Sequence, residues 1–242
     1  MSIVSDTIRK KHHSFCSAVI VAAGMSVRMG EDKLFLRLTD VPVLGMTLRV
    51  FNDCDAIDEI VVVTRPERAE AVGALRDRLY LDKLAKVVFG GDTRSASALA
   101  GVTAVSKRAK IIAIHDGARP LVTEEVIQDA VHQAVLYQAA TPAIPLKDTV
   151  KQAKNGIVQG TPPRSELYAV QTPQVFQADL IKAALSKAAQ EKRSYTDDCA
   201  AVEALGCPVH LSEGDEDNIK ITTTADLAVA RAILEKRRQM RL

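Results

Sequence analysis

The chain carries almost no excess charge: 32 Lys and Arg stand against 30 Asp and Glu, a net of +2 over 242 residues. That balance gives no bulk electrostatic case for nucleic acid or an anionic membrane as partner, so any anion site must be local. No apolar stretch reaches transmembrane length. The first fifteen residues lack an apolar segment and hold Arg9, Lys10, Lys11, His12 and His13. They read as a polar N-terminal lead (1–15), not as a secretory signal. The four cysteines, Cys16, Cys54, Cys199 and Cys207, are scattered without metal-ligand spacing, which leads us to expect a reduced, cytoplasmic protein with incidental thiols. Internal repeats, low-complexity tracts and interdomain linkers are also missing, so residues 16–242 read as a single domain. Two familiar phosphate loops are excluded. Gly30 is followed by Glu31 and Asp32, which breaks a Walker loop, and Ser26 and Met29 occupy the later glycine positions of a dinucleotide fingerprint.

What is present is concentrated in residues 18–36. A short apolar run, as of a buried parallel strand, breaks at Ala22, Ala23 and Gly24. Small residues there allow a ligand to approach the backbone, and successive N–H groups can form an anion-binding nest. Arg28 and Lys33 follow on what reads as a loop. A strand, a small-residue turn, a guanidinium and an ammonium suit a polyphosphate.

Along the rest of the chain, strands are expected at 16–23, 59–64, 86–89, 110–115, 141–146 and 208–211. The fifth is expected near a sheet edge because of Pro142 and Pro145. Helices are expected at 43–51, after Pro42; at 66–80, with Glu67, Arg68 and Glu70 solvated; and at 93–106, 123–138, 177–190, 196–205 and 223–237. Thr123 opens the fourth of these, and Thr223 or Thr224 caps the last. Alternating strands and helices mean a Rossmann-like α/β fold, a mostly parallel sheet flanked by helices, with ligands at the carboxyl ends of the strands. The unusual residues fall at three such ends: 22–33, 90–92 and 115–119. Residues 147–172 break the pattern. Asn155-Gly156 between alternating segments signals a β-hairpin, and a hairpin needs a partner surface, so this stretch reads as a protruding arm.

The motifs converge on one family. Ala22-Ala-Gly-x-x-x-Arg-Met29, Gly90-Gly-Asp-x-Arg94 with Ser97, His115-Asp-Gly-Ala-Arg-Pro120, Lys147-Asp-Thr149, Gln171-Thr-Pro-Gln-x-Phe176, Tyr195-Thr-Asp-Asp198 and Glu213-Gly-x-x-x-Asn-Ile-Lys220 occur in order. The loop resembles that of sugar nucleotidyltransferases, and the whole set resembles the 2-C-methyl-D-erythritol 4-phosphate cytidylyltransferases of the non-mevalonate isoprenoid pathway. The resemblance runs from about Cys16 to the last helix. Departures are Val21, Ser26 and Gly117, where the family often has Pro, Gly and Ala, and a short loop between Met29 and Lys33.

The resemblance implies transfer of CMP from CTP to 2-C-methyl-D-erythritol 4-phosphate, with Mg²⁺ as cofactor and pyrophosphate released. It implies that Arg28, Lys33 and Lys220 are catalytic. Nucleotide would be bound by Ala22, Ala23, Gly24, Ser26, Gly91, Asp92, Ser97, Asp116 and Gly117. The polyol phosphate would be held by Arg119, Thr149, Arg164, Thr172 and Thr196, some of them supplied by a neighbouring subunit. Asp116 and Asp217 would lie at the metal, and the 147–172 arm would join a homodimer. The acceptor phosphate is already largely a dianion near neutral pH, so no strong general base is required, and the sequence offers none. Ribitol 5-phosphate is the nearest alternative acceptor, which the Ala118-Arg119-Pro120 ending disfavours by resemblance. A sugar-1-phosphate nucleotidyltransferase with a different base is a wider alternative. A non-catalytic nucleotide-binding module is the alternative of another class; Arg28, Lys33 and Lys220 count against it. The chain length leads us to expect no fused cyclodiphosphate-forming enzyme.

Overall fold

The computed structural model describes residues 14–24 and 32–240. The first two-thirds alternate strictly: β1 (Cys16–Val21), α1 (Val43–Asp53), β2 (Glu59–Thr64), α2 (Ala69–Leu79), β3 (Leu84–Phe89), α3 (Arg94–Ala104), β4 (Ile111–Asp116), α4 (Glu124–Tyr137) and β5 (Ala139–Pro145). Short elements follow: β6 (Gln152–Lys154), β7 (Ile157–Gly160), β8 (Tyr168–Val170) and β9 (Gln174–Gln177). The chain closes with α5 (Ala178–Gln190), α6 (Asp198–Glu203), β10 (His210–Glu213) and α7 (Thr224–Gln239).

The main sheet runs in the order β10-β5-β9-β4-β1-β2-β3, with β8 also on β5. Strands β1, β2, β3 and β4 pair in parallel, as do β5 and β10. The short β9 runs antiparallel between β4 and β5. Period-2 alternation divides the apolar strand residues between two cores. Ala18, Ile20, Ile60, Val62 and Ala113 face the side covered by α1, α2, α4 and α7. Val19, Val61, Val63, Ile112 and Ile114 face α3, α5 and α6. Burial on both faces explains why the strands read as continuous apolar runs.

Helix ends follow local chemistry. The side chains of Thr93, Thr123, Asp197 and Thr223 accept backbone N–H groups at the starts of α3, α4, α6 and α7. Thr223 and Asp226 complete a reciprocal capping box. In the hairpin, Asn155 (φ 51°) and Gly156 (φ 77°) are both left-handed, the backbone that a two-residue turn between twisted strands demands. The β6–β7 ribbon forms a sheet of its own, whereas β8 returns to the main sheet.

β5 lies near the sheet edge as expected, next to the terminal strand β10, with β8 and β9 on its other side. Its Pro142 is tolerated because its missing N–H faces the break between β8 and β9, where Gln171 N donates to Pro142 O at 2.7 Å. One expectation is corrected: Arg68 is not solvated but 5% exposed, its Nη1 donating to Ala22 O and Gly24 O.

Candidate active site

Four strand ends and one late loop line a cavity of about 600 Å³. β1 contributes Val21 to Gly24, the turn after it Lys33 and Leu34, and the exit of β2 Arg65 and Pro66. The exit of β3 contributes Gly90 to Arg94, with Ser97 one turn into α3. The end of β4 gives Asp116 and Ala118, and the loop after β10 gives Lys220.

The charges are ordered around Asp116. Its Oδ2 lies 2.7 Å from Lys220 Nζ, and its Oδ1 lies 3.6 Å from Arg94. Burial would raise this carboxyl's pKa, but Lys220 and Arg94 prevail and hold it at about 2. Arg94 also donates to Asp198, at 2.8 Å. Asp198 is fully buried, and burial pushes its carboxyl up against the pull of Arg94. Arg94 is in turn held protonated by the two carboxylates, which outweigh its own desolvation.

The tetrapeptide Gln171-Thr-Pro-Gln174 supports all three partners. Gln171 Nε2 donates to Asp215 O at 2.7 Å, and its Oε1 accepts from Asp215 N and Asn218 Nδ2, which fixes the loop carrying Lys220. Thr172 Oγ1 accepts from Asp116 N at 3.1 Å. Gln174 Oε1 accepts from Asp198 N and Cys199 N, setting the start of α6. Ile221 N donates to Ala118 O, which ties the Lys220 loop to the end of β4.

Of the residues expected at the site, the structure brings Ala22, Ala23, Gly24, Lys33, Gly91, Asp92, Ser97, Asp116 and Lys220 onto one cavity. Ser97 is buried and donates to Gly91 O at 3.3 Å. Gly117 packs behind the wall, its N–H on Val21 O. Arg119 donates to Asn218 O at 2.7 Å, and Thr172 is buried in the support just described. Neither lines the cavity. Thr149, Arg164 and Thr196 are exposed and also lie off the cavity, Arg164 donating to Lys147 O at 2.8 Å. Asp217 lies 3.8 Å from Arg237 and outside the lining. Ser26 and Arg28 fall outside the described residues.

Sequence reasoning missed Arg65, Arg68, Arg94 and Asp198 as site residues. Arg94 and Asp198 stand in quoted motifs, but their pairing spans 104 positions. Among the described residues, no helix is long and apolar enough to cross a membrane.

The family model described as 2-C-methyl-D-erythritol 4-phosphate cytidylyltransferase (IspD) matches residues 16–236. A protein of that name from Caldanaerobacter subterraneus subsp. tengcongensis is 46% identical, covering 91% of this chain and 99% of its own. One from Halalkalibacterium halodurans is 43% identical, covering 92% and 99%. The crystal structure of the 4-diphosphocytidyl-2C-methyl-D-erythritol synthase of Anaerococcus prevotii superposes with a TM-score of 0.83 at 31% identity, covering 92% of this chain and 99% of that one. That of the Thermus thermophilus cytidylyltransferase gives 0.75 at 31%, covering 90% and 98%. With a family model matched over residues 16–236 and relatives aligned nearly end to end, the chain belongs to the 2-C-methyl-D-erythritol 4-phosphate cytidylyltransferase family.

Proposed function

We propose that this chain transfers CMP from CTP to 2-C-methyl-D-erythritol 4-phosphate. An oxygen of the acceptor phosphate attacks the α-phosphorus in line. The new P–O bond forms as the bond to the β-phosphate bridge breaks, and pyrophosphate leaves. The observation that carries this reading is the single cavity on which Lys33, Lys220, Arg94 and the small-residue turn converge around Asp116. Because the nucleophile is already anionic near neutral pH, with its second pKa near about 6, catalysis reduces to alignment and charge stabilisation. Lys33 and Lys220 face the growing charge on the phosphates, Arg28 joins them, and the Gly90–Asp92 turn with Ser97 reads the base. A pocket built on such hydrogen bonds rejects a base with the wrong donor pattern by leaving its own groups unpaired.

Asp116 suits a Mg²⁺ ion that arrives with the triphosphate. It is a nearly buried, ionised hard donor, and its Oδ1 has Arg94 beyond hydrogen-bond reach at 3.6 Å, leaving lone pairs available. Among the described residues, no group of three or more His, Cys, Asp or Glu forms a metal cage. That fits an ion completed by phosphate oxygens and water. Asp217 is the second carboxylate of this reading, on the loop that carries Lys220. When bound, the ion would neutralise charge on the transferring phosphates.

The 147–172 arm is proposed to join two copies, with Thr149 and Arg164 serving the other copy's acceptor site beside Arg119, Thr172 and Thr196. The self-paired ribbon, with Ile157 67% and Val158 55% exposed, supports this reading. Four unbridged thiols fit work in the reducing cytoplasm. The test is pyrophosphate release with Mg²⁺ and CTP, comparing methylerythritol 4-phosphate with ribitol 5-phosphate. Release with the first acceptor is expected. Release with the second alone would move the chain to polyol-phosphate metabolism, and silence with both from protein that binds CTP would sink the reaction.

A further inference from the structure

Arg68, one turn past the end of β2, is 5% exposed and does not line the cavity. Its Nη1 donates to Ala22 O at 3.1 Å and to Gly24 O at 3.2 Å. Its Nε pairs with the Asp32 carboxylate. One guanidinium therefore grips the chain on both sides of residues 25–31. Asp32 organises the next turn in its own right. Its Oδ1 accepts from Leu34 N at 3.3 Å, and its carbonyl accepts from Phe35 N at 2.9 Å. Lys33 is carried between those anchors and lines the cavity.

We infer that Arg68 is a positioning residue for nucleotide binding, holding the Ala22–Gly24 turn and the Lys33 turn at a fixed separation from behind the cavity wall. The inference rests on the proposed reading of the cavity as the CTP site and goes beyond it. Two physical effects combine. The guanidinium takes the carbonyls of Ala22 and Gly24 on the side away from the cavity, so their negative ends are not presented to an anionic ligand. Its planar fork also fixes three acceptors at once, which a single ammonium cannot reproduce. Holding the two walls in advance spares CTP the cost of ordering them.

The experiment is a double-mutant cycle read by calorimetric CTP binding and by KM for each substrate. Arg68→Met should weaken CTP binding about tenfold, Asp32→Asn by less because the Ala22 and Gly24 contacts survive, and the double variant no further than Arg68→Met, which already removes the Asp32 contact. KM for the acceptor should stay within about twofold of the unmodified protein. Arg68→Lys, which keeps the charge and loses the fork, should recover only part of the affinity. Additive losses, equal rises in both KM values, or CTP affinity unchanged in Asp32→Asn would overturn the inference. Should Arg68→Met fail to fold, Asp32→Asn decides alone. Unmodified protein that binds CTP yet turns over neither acceptor would count against the reaction and not against the cycle, which reads binding.

Discussion

Thr172 Oγ1 lies 3.0 Å from His115 Nδ1, and the other ring nitrogen of His115 lies 3.2 Å from the carbonyl of Arg119. A carbonyl can only accept, so Nε2 carries the proton and Nδ1 accepts from Thr172. The same hydroxyl accepts from the backbone N–H of Asp116. A neutral imidazole thus locks together the two ends of the segment that presents Asp116.

That neutrality predicts a pH dependence of stability. Burial depresses the His115 pKa from 6.5 to about 3. Between those values the unfolded chain binds a proton that the folded chain does not, so stability falls as pH drops below 6.5. The limiting slope from this group is about 1.4 kcal/mol per pH unit. Asp116, depressed from 3.8 to about 2, contributes stability above 3.8 that is lost as pH falls further. Urea midpoints between about pH 8 and about pH 5 should decline, and His115→Gln should be less stable throughout yet flatter in slope. An equal slope in that variant would remove His115 from the account.

Lys33 and Lys220 should matter to turnover far more than to the fold. Lys220 is 41% exposed at its side chain and belongs to no core cluster. Lys33→Ala and Lys220→Met should each cut turnover by about 10² to 10³, the scale for removing one preorganised charge-stabilising donor. Circular dichroism should be unchanged. Near-normal turnover in Lys33→Ala would sink its assigned role.

Gly90 is where backbone and helix approach most closely beside the cavity. A Cβ there would sit 2.5 Å from Ala23 Cβ and 2.6 Å from Ser97 Oγ. Gly90→Ala must therefore push the first turn away from α3. Overpacking of this kind costs about 1–3 kcal/mol, and the displaced walls should raise KM for CTP about tenfold. Unchanged KM would mean that the base is not read between these two segments.

Much of this was readable in the chain because its signals are local. The apolar runs at Glu59–Thr64 and Ile111–Asp116, the Thr123 and Thr223 caps and the Asn155-Gly156 turn each act within a few residues. What escaped depends on distant partners. Gln174–Gln177 is a strand because β4 and β5 leave room between them; four residues after Pro173 hold no periodic signal. Arg68 sits among Glu67 and Glu70 and looks like a solvated helix residue, yet its acceptors lie 46 and 44 positions away. Buried charge follows tertiary contacts, which composition cannot reveal.

The Arg94–Asp198 pair offers a test that separates stability from function. Asp198→Asn would replace the charged partner of Arg94 at 2.8 Å with a neutral one and should cost about 3 kcal/mol, the low end for breaking a buried pair, since Arg94 is 27% exposed. Replacing both, as Arg94→Met with Asp198→Leu, should recover most of the denaturation midpoint. Turnover should stay low, because Arg94 also forms part of the cavity wall. Recovery of both would make the pair purely structural.

The hairpin yields the last prediction. Ile157 and Val158 are mostly exposed on a ribbon that pairs only within itself among the described residues. An aliphatic side chain buried on association contributes about 1.5–3 kcal/mol, so Ile157→Asp should weaken self-association about tenfold or more. Sedimentation equilibrium reads that shift, while the melting transition of the sheet domain should hold, because the ribbon lies outside both cores. Turnover should fall at dilutions where the variant dissociates and the unmodified protein does not, since Thr149 and Arg164 travel with the arm. Full turnover from a monomeric unmodified chain would place the acceptor site within one copy and leave the ribbon without a catalytic role.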